Sequence, residues 1–180
     1  MAIRMPNPDL MITIEDLAFS DDRPTWDGMT DEGSLAEVDA LQEMQILDIR
    51  VSPLVGKVAI LLEARTALQF RAGNSVLCVV DGAQLFGWNS VKSRTGFTAY
   101  SVVGNLTAIS DAVAVNFVLH PSAELIVRGV AARFYLLDAI GVSDSIPDYA
   151  DADWKSLNSQ LPRWSSRFEV LQSSYVEPME

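Results

Sequence analysis

The chain has 180 residues, of which 49% are hydrophobic, and it carries a formal net charge of −11. That length and apolar content suit one globular domain burying about 70% of the surface its unfolded chain exposes, and they exclude a wholly disordered protein. The single cysteine, Cys78, excludes an intrachain disulfide and a cysteine cluster for zinc, and the negative charge disfavours nucleic acid as a partner.

Residues 1–33 hold Pro6, Pro8, Pro24, Gly28 and Gly33 among many acids, and read as an irregular, acidic arm. Met11, Ile12, Ile14 and Leu17 are the residues that would pin part of it as a strand. Residues 34–180 read as a single β-rich domain. Ser34 and Glu37 have the spacing of a capping box, and Leu35, Val38 and Leu41 follow at helical spacing, so a short helix is expected over about residues 35–43.

From there the period changes to two. Leu47, Ile49 and Val51 alternate with Asp48 and Arg50, and Val58, Ile60 and Leu62 resume beyond Pro53 and Gly56. This predicts a hairpin with one apolar and one charged face. The run SVLCVV, then Asp81 and Gly82, then AQLFGW reads as a second hairpin on a type I′ turn, with Cys78 opposite Leu85. Residues 76–80 are apolar on both parities, which predicts a central strand covered on both faces. Residues 97–103 form a weaker strand pattern with Gly104 and Asn105 as its stop. A third hairpin is expected between residues 113–119 and 125–127, turning at His120 and Pro121. Residues 134–137 form a further strand. In the tail, Trp154, Leu157 and Leu161 share a helical face that ends at Pro162, and residues 168–175 form a last strand. Eight or nine strands and two short helices predict a mostly β fold, an antiparallel sandwich or strongly curved sheet.

Little in this pattern commits to a chemistry. His120 is the only histidine and lies in a predicted turn, so it reads as a solvated residue before a general base. Cys78 lies between Leu77 and Val79, where burial opposes thiolate formation. The chain contains no G-x-S-x-G elbow, dinucleotide fingerprint or Walker loop. The pairs Asp21 and Asp22, Asp31 and Glu32, and Asp151 and Asp153 fall in predicted loops or helix starts and lack a calcium-loop pattern, so they read as solvated or capping acids. No cofactor and no metal are implied. The N-terminus lacks the charged start and unbroken apolar stretch of a secretory leader, and no apolar run exceeds five residues where a membrane helix needs about 20. A cytoplasmic protein without a membrane partner is expected.

The charge is uneven. Residues 1–48 carry 12 acids and two bases, residues 49–137 four acids and eight bases, and residues 138–180 eight acids and three bases. A basic protein is the electrostatic match to such flanks. Trp26 stands in the acidic arm, an aromatic in polar surroundings, and serves either to fold the arm back or to contact a partner. The candidate partner-binding residues are therefore Asp21, Asp22, Trp26, Asp27, Asp31 and Glu32.

Residues 65–70 (RTALQF), the strand ending at Trp88, Pro121 with Ala123 and Leu125, Ala132 with Phe134 and Tyr135, Pro147 with Asp148 and Tyr149, and Trp164 with Phe168 carry a resemblance over residues 45–178. The stretch resembles an uncharacterised family of β-rich actinobacterial proteins. By strand rhythm and size it is also similar, more distantly, to immunity proteins of bacterial toxin systems. These resemblances imply a fold and bring no catalytic residues. Three readings follow: a non-catalytic protein-binding module, such as an immunity-type inhibitor or an adaptor for a basic protein; a carboxylate-based enzyme or small-molecule binder with its site in the curved face of the sheet; and a structural or assembly subunit, whose oligomeric state the sequence leaves open.

Overall fold

The computed structural model describes residues 13–21, 30, 31, 33–91 and 97–178. Among these, nine strands form one open antiparallel sheet: β2 (Gln45–Ser52), β3 (Lys57–Glu63), β4 (Ser75–Asp81), β5 (Leu85–Ser90), β6 (Tyr100–Ile109), β7 (Val113–His120), β8 (Ala123–Gly129), β9 (Ala131–Ala139) and β10 (Phe168–Val176). A two-residue strand, β1 (Thr30–Asp31), adds in parallel to β10, and the sheet order is β1-β10-β9-β4-β3-β2-β6-β7-β8-β5. Two short helices complete the fold, α1 (Ile14–Phe19) and α2 (Trp154–Asn158). The protein is thus mostly β, on a single curved sheet.

The sheet folds over where β2 meets β6. β2 and β6 share only Gln45↔Ser101 and Ile46↔Tyr100. On either side of that seam the two halves face each other. Val58, Ile60, Leu62, Val76, Cys78, Val80 and Phe134 from one half pack with Val113, Val115, Phe117, Leu125 and Val127 from the other. The space inside the curl is therefore filled by apolar side chains. At the far end the halves meet closely enough that a Cβ on Gly129 would lie 2.6 Å from the Asp81 carbonyl oxygen.

β3 is buried along its whole length, so on that strand the expected charged face is instead a second apolar face, whereas β2 keeps Asp48 exposed. Ala59 and Leu61, with Leu77, Val79, Tyr135, Leu137 and Trp164, are covered by Ile14, Leu17 and Ala18 of α1. The strand expected from Ile14 and Leu17 is thus a helix. Thr13 caps it: its hydroxyl accepts from the Asp16 amide, while the Asp16 carboxylate accepts from the Thr13 amide. The Ile14 and Glu15 amides, which have no partner within a helix, donate to the Ser166 and Trp164 carbonyls at 3.0 and 2.9 Å.

Three further expectations are corrected. Residues 35–43 do not form an α-helix: a 3-10 turn at Gly33–Ala36 runs into successive turns. Asp39 and Glu43 adopt φ values of 59° and 70°, which break a right-handed helix. Their backbone groups are claimed by β6, since the Asp39 amide donates to the Asn105 carbonyl and the Glu43 amide to that of Val102, both at 2.8 Å. Gly104 and Asn105 are accordingly not a stop. They lie within β6 at a bulge, and the buried Asn105 side chain accepts from the Leu41 amide at 2.8 Å.

The Asp81 and Gly82 hairpin does not form either. Gly82 has the positive φ the turn requires, 58°, but β4 pairs with β3 and β9, and Cys78 stands opposite Ile60 and Phe134 instead of Leu85. A strand apolar on both parities gains most between two strands that are themselves covered on both faces. β5, with Gly87, Asn89 and Ser90, takes the sheet edge beside β8. The hairpin of β7 and β8, the strand β9 and the last strand β10 form as expected.

Because Leu17 is fully buried, Leu17→Ala is expected to cost about 2–5 kcal/mol in urea unfolding of the full chain. A loss under about 0.5 kcal/mol, the scale of a surface site, would show that α1 does not pack as described.

Candidate functional site

The described part of the acidic arm is engaged in holding the fold. Lys57, buried at the start of β3, donates to the Ser20 carbonyl at 2.6 Å and to Asp21 Oδ1 at 2.8 Å. Arg133 of β9 donates to the same Ser20 carbonyl at 3.1 Å and grips Asp81 through two bonds of 2.7 and 2.9 Å. Two cations thus converge on the C-terminal carbonyl end of α1, where its dipole favours positive charge. The hydrogen bond and charge of Lys57 hold the Asp21 carboxyl below its ordinary range. Of the six predicted binding residues, Asp21 is therefore a tether as well as an exposed acid. Asp31 lies in β1 opposite Ser173. Asp22, Trp26, Asp27 and Glu32 lie outside the described residues. No common site assembles from the described members.

A different site forms where β2 and β6 part. Beyond the Ile46↔Tyr100 pair the chains diverge, and β2 carries a bulge between Ile46 and Asp48. Ile46, Leu47, Thr98 and Ala99 line one side of the resulting cleft, and Tyr149, Trp154 and Leu161 line the other, enclosing about 470 Å³. Phe97 and Trp154 meet across it with ring centroids 5.5 Å apart and planes tilted by 32°. Both rings remain about half exposed. Tyr149 Oη is buried and makes no hydrogen bond among the described residues, and burial, reinforced by the nearby Glu63, pushes its phenol up.

The wall is held by one ion pair. Arg65 grips the fully buried Glu63 with two bonds of 2.6 Å, Nε to Oε1 and Nη2 to Oε2. Its remaining donors reach the Ser143, Ser145 and Gln160 carbonyls at 2.6, 3.0 and 2.9 Å. A single guanidinium thereby ties both ends of residues 143–160, which contain Tyr149 and Trp154, to the end of β3. Asp153 caps α2 by accepting from the Ser156 amide at 3.0 Å, which sets Trp154 at the first helical position. On the next stretch of surface, Trp164 Nε1 donates to Asp48 Oδ2 at 2.6 Å, and Arg50, paired with Glu15 at 2.5 Å, lies 4.7 Å above the Trp164 ring.

The same loop exposes Asp144, Asp148, Asp151 and Asp153. Beside it, Asp138 and Glu169 stand directly opposite each other across β9 and β10. Burial, and then the charges of Glu169 and Asp144, push the Asp138 carboxyl up. Negative charge is thus concentrated at this corner.

The remaining candidates stay apart from the cleft. Cys78 is fully buried in β4, and burial pushes its thiol up. His120 ends β7, exposed and opposite Ser101. Sequence reasoning placed Trp154 with Leu157 and Leu161 on one apolar stripe; the two leucines are buried and Trp154 is left half exposed. No sequence signal joined it to Phe97 or Leu47, because the three meet only through the parting of β2 and β6.

No described helix is long and apolar enough to cross a membrane. Comparison with family models, with curated proteins and with solved structures finds no match to this chain. Its architecture is an open, curled antiparallel sheet with an aromatic cleft at its seam.

Arg65→Ala strands the buried Glu63 carboxylate and frees residues 143–160, and it is expected to cost about 3–5 kcal/mol in denaturant unfolding; the double substitution E63M/R65M should cost less. Asp138→Asn keeps the oxygen that accepts from Asn74 at 2.9 Å and removes the like-charge contact. Because the folded state raises the Asp138 pKa, the penalty is full above that raised value, fades as pH falls through it, and is gone below the unfolded value of about 3.9. D138N should therefore stabilise by about 0.5 kcal/mol at pH 7 and show no gain near pH 3, as read by thermal melts at the two pH values.

Proposed function

We propose that the protein is a protein-binding module, of the immunity-inhibitor or adaptor kind, that docks a basic partner at the aromatic cleft. The observation that carries this reading is a half-exposed aromatic couple, Phe97 and Trp154, together with the exposed aspartates of the loop that carries Trp154. Protein interfaces concentrate their binding energy in central aromatic anchors ringed by polar residues, and charge on the rim steers encounter and selects partners of opposite sign. An apolar side chain flanked by lysine or arginine is the complementary chemistry. The acids of residues 1–48 add to the negative charge that a basic partner would meet.

A second reading, a small apolar ligand in the same cleft, is favoured by its volume, which lies within the range of ligand pockets, and by the unpartnered Tyr149 hydroxyl.

Affinity capture from native cytosol followed by titration separates the two. A stoichiometric basic protein is expected whose affinity falls at least about tenfold with Trp154→Ala and weakens with added salt. Trp154 is half exposed, so W154A should leave the fold intact by circular dichroism. A partner that binds W154A as well as it binds the parent chain, or no stoichiometric protein partner at all, defeats the proposal. Release of a small apolar compound on denaturation would favour the second reading.

A further inference from the structure

The two edges of the sheet are treated differently. At one, the short β1 pairs with β10. At the other, β5 pairs with β8 alone and has no strand beyond it among the described residues. Natural edge strands are commonly blunted by lysine, proline or inward charge. β5, LFGWNS, contains none of these, and its Leu85, Phe86 and Trp88 are 47%, 41% and 39% exposed.

The backbone of that edge is set by register. The Val91 amide donates to the Ser122 carbonyl at 3.1 Å, continuing the ladder in which Leu85, Gly87 and Asn89 face Arg128, Ile126 and Glu124. Bonding direction alternates along an antiparallel strand. The N–H and C=O groups of Leu85, Gly87 and Asn89 therefore point to β8, and those of Phe86 and Trp88 point outward along the edge.

We propose that β5 is where two copies of this chain join, antiparallel about a two-fold axis at Gly87, so that the two sheets become one. In that register Phe86 stands opposite the partner's Trp88, and the partner's Phe86 opposite Trp88. The four outward backbone groups of one copy then pair with four of the other in closed hydrogen-bonded rings. The aromatic side chains fall as two cross-strand Phe–Trp pairs on one face, an arrangement that favours pairing. An isologous contact of this kind requires a strand complementary to its own reverse, and β5 is complementary because it sets no like charges opposite each other.

The charge distribution supports a second copy as the occupant despite the net charge of −11. Residues 1–48 and 138–180 hold 20 of the 24 acids, whereas residues 82–130, which contain β5 through β8, hold three bases and two acids. Neighbouring β8 adds Glu124 and Arg128, of opposite sign. This surface is separate from the cleft between β2 and β6, so the proposal stands independently of the partner proposed there.

The test is sedimentation of the full chain over a wide concentration range. A dimer is expected, and Phe86→Pro, which removes the outward Phe86 N–H from each copy and so opens both rings, should raise its dissociation constant at least about tenfold. Should F86P fail to fold, a second measurement decides. In the proposed register Leu85 faces the partner's Asn89, so L85C/N89C should give a covalent dimer under mild oxidation, while L85C and N89C alone give none; Cys78 is buried and stays silent. A monomer at every concentration, a dimer indifferent to F86P with the fold retained, or equal cross-linking by the single variants overturns the proposal. So does amide protection of Phe86 and Trp88 that arises only when a different protein is added.

Discussion

The structure depends on three adjacent strands, β3, β4 and β9, that are apolar on both faces. Water must be kept from two surfaces of the same layer, so two covers are required. One is the rest of the sheet, which curls back so that β7 and β8 bring Val115, Phe117, Leu125 and Val127 onto the inner face. The other is α1 with Trp164 on the outer face. Fully burying a side chain such as Leu or Ile contributes about 1.5–3 kcal/mol. A helix as short as α1 has little stability of its own, and packing of this kind is what holds it in place.

The ends of the central layer are where charge enters. β3 begins with buried Lys57 and ends with buried Glu63. Each would be costly alone, and each is satisfied by a neighbour that also fastens a distant segment. Lys57, joined by Arg133, holds the carbonyl end of α1. Glu63, through Arg65, holds the loop that forms one wall of the cleft. The same two interactions that make the layer tolerable thus position the arm on one side and Trp154 on the other. The cleft is a consequence of the curl: β2 and β6 share only two residue pairs, and the space where they part is walled by the segment Arg65 secures.

Much of the fold was legible from alternation and breakers. The strands β3, β7 and β8 follow from period-two runs, β4 and β9 from continuous apolar runs and β10 from the apolar residues of the tail, and the Leu157 and Leu161 spacing located α2. What misled was local chemistry with more than one use. Asp81 and Gly82 have the residues of a tight hairpin, but the Asp81 carboxylate is taken by Arg133 and the strand that follows leaves for β8. Ser34 and Glu37 have the spacing of a helix start, yet Asn105, sixty-odd residues away, captures the backbone amide of Leu41. Thr13 and Asp16 form a true capping box whose helix was hidden by its shortness and by the acids and prolines around it. Phe97, Leu47 and Trp154 carried no shared signal, since no period links residues from three separate segments.

The sequence by itself determined the fold class: mostly β, with a central strand whose residues 76–80 are apolar on both parities, and acidic flanks around a mildly basic middle. Alternation and charge are local or additive properties, and they survive without knowledge of partners. Tertiary structure alone decided which strands are neighbours, that part of the acidic arm is a core helix tethered by Lys57, and that Phe97, Leu47 and Trp154 meet in one cleft. Those are choices among competing long-range contacts. Each of these hydrogen-bonding groups had several possible partners, and the double coverage of β3, β4 and β9 selected among them.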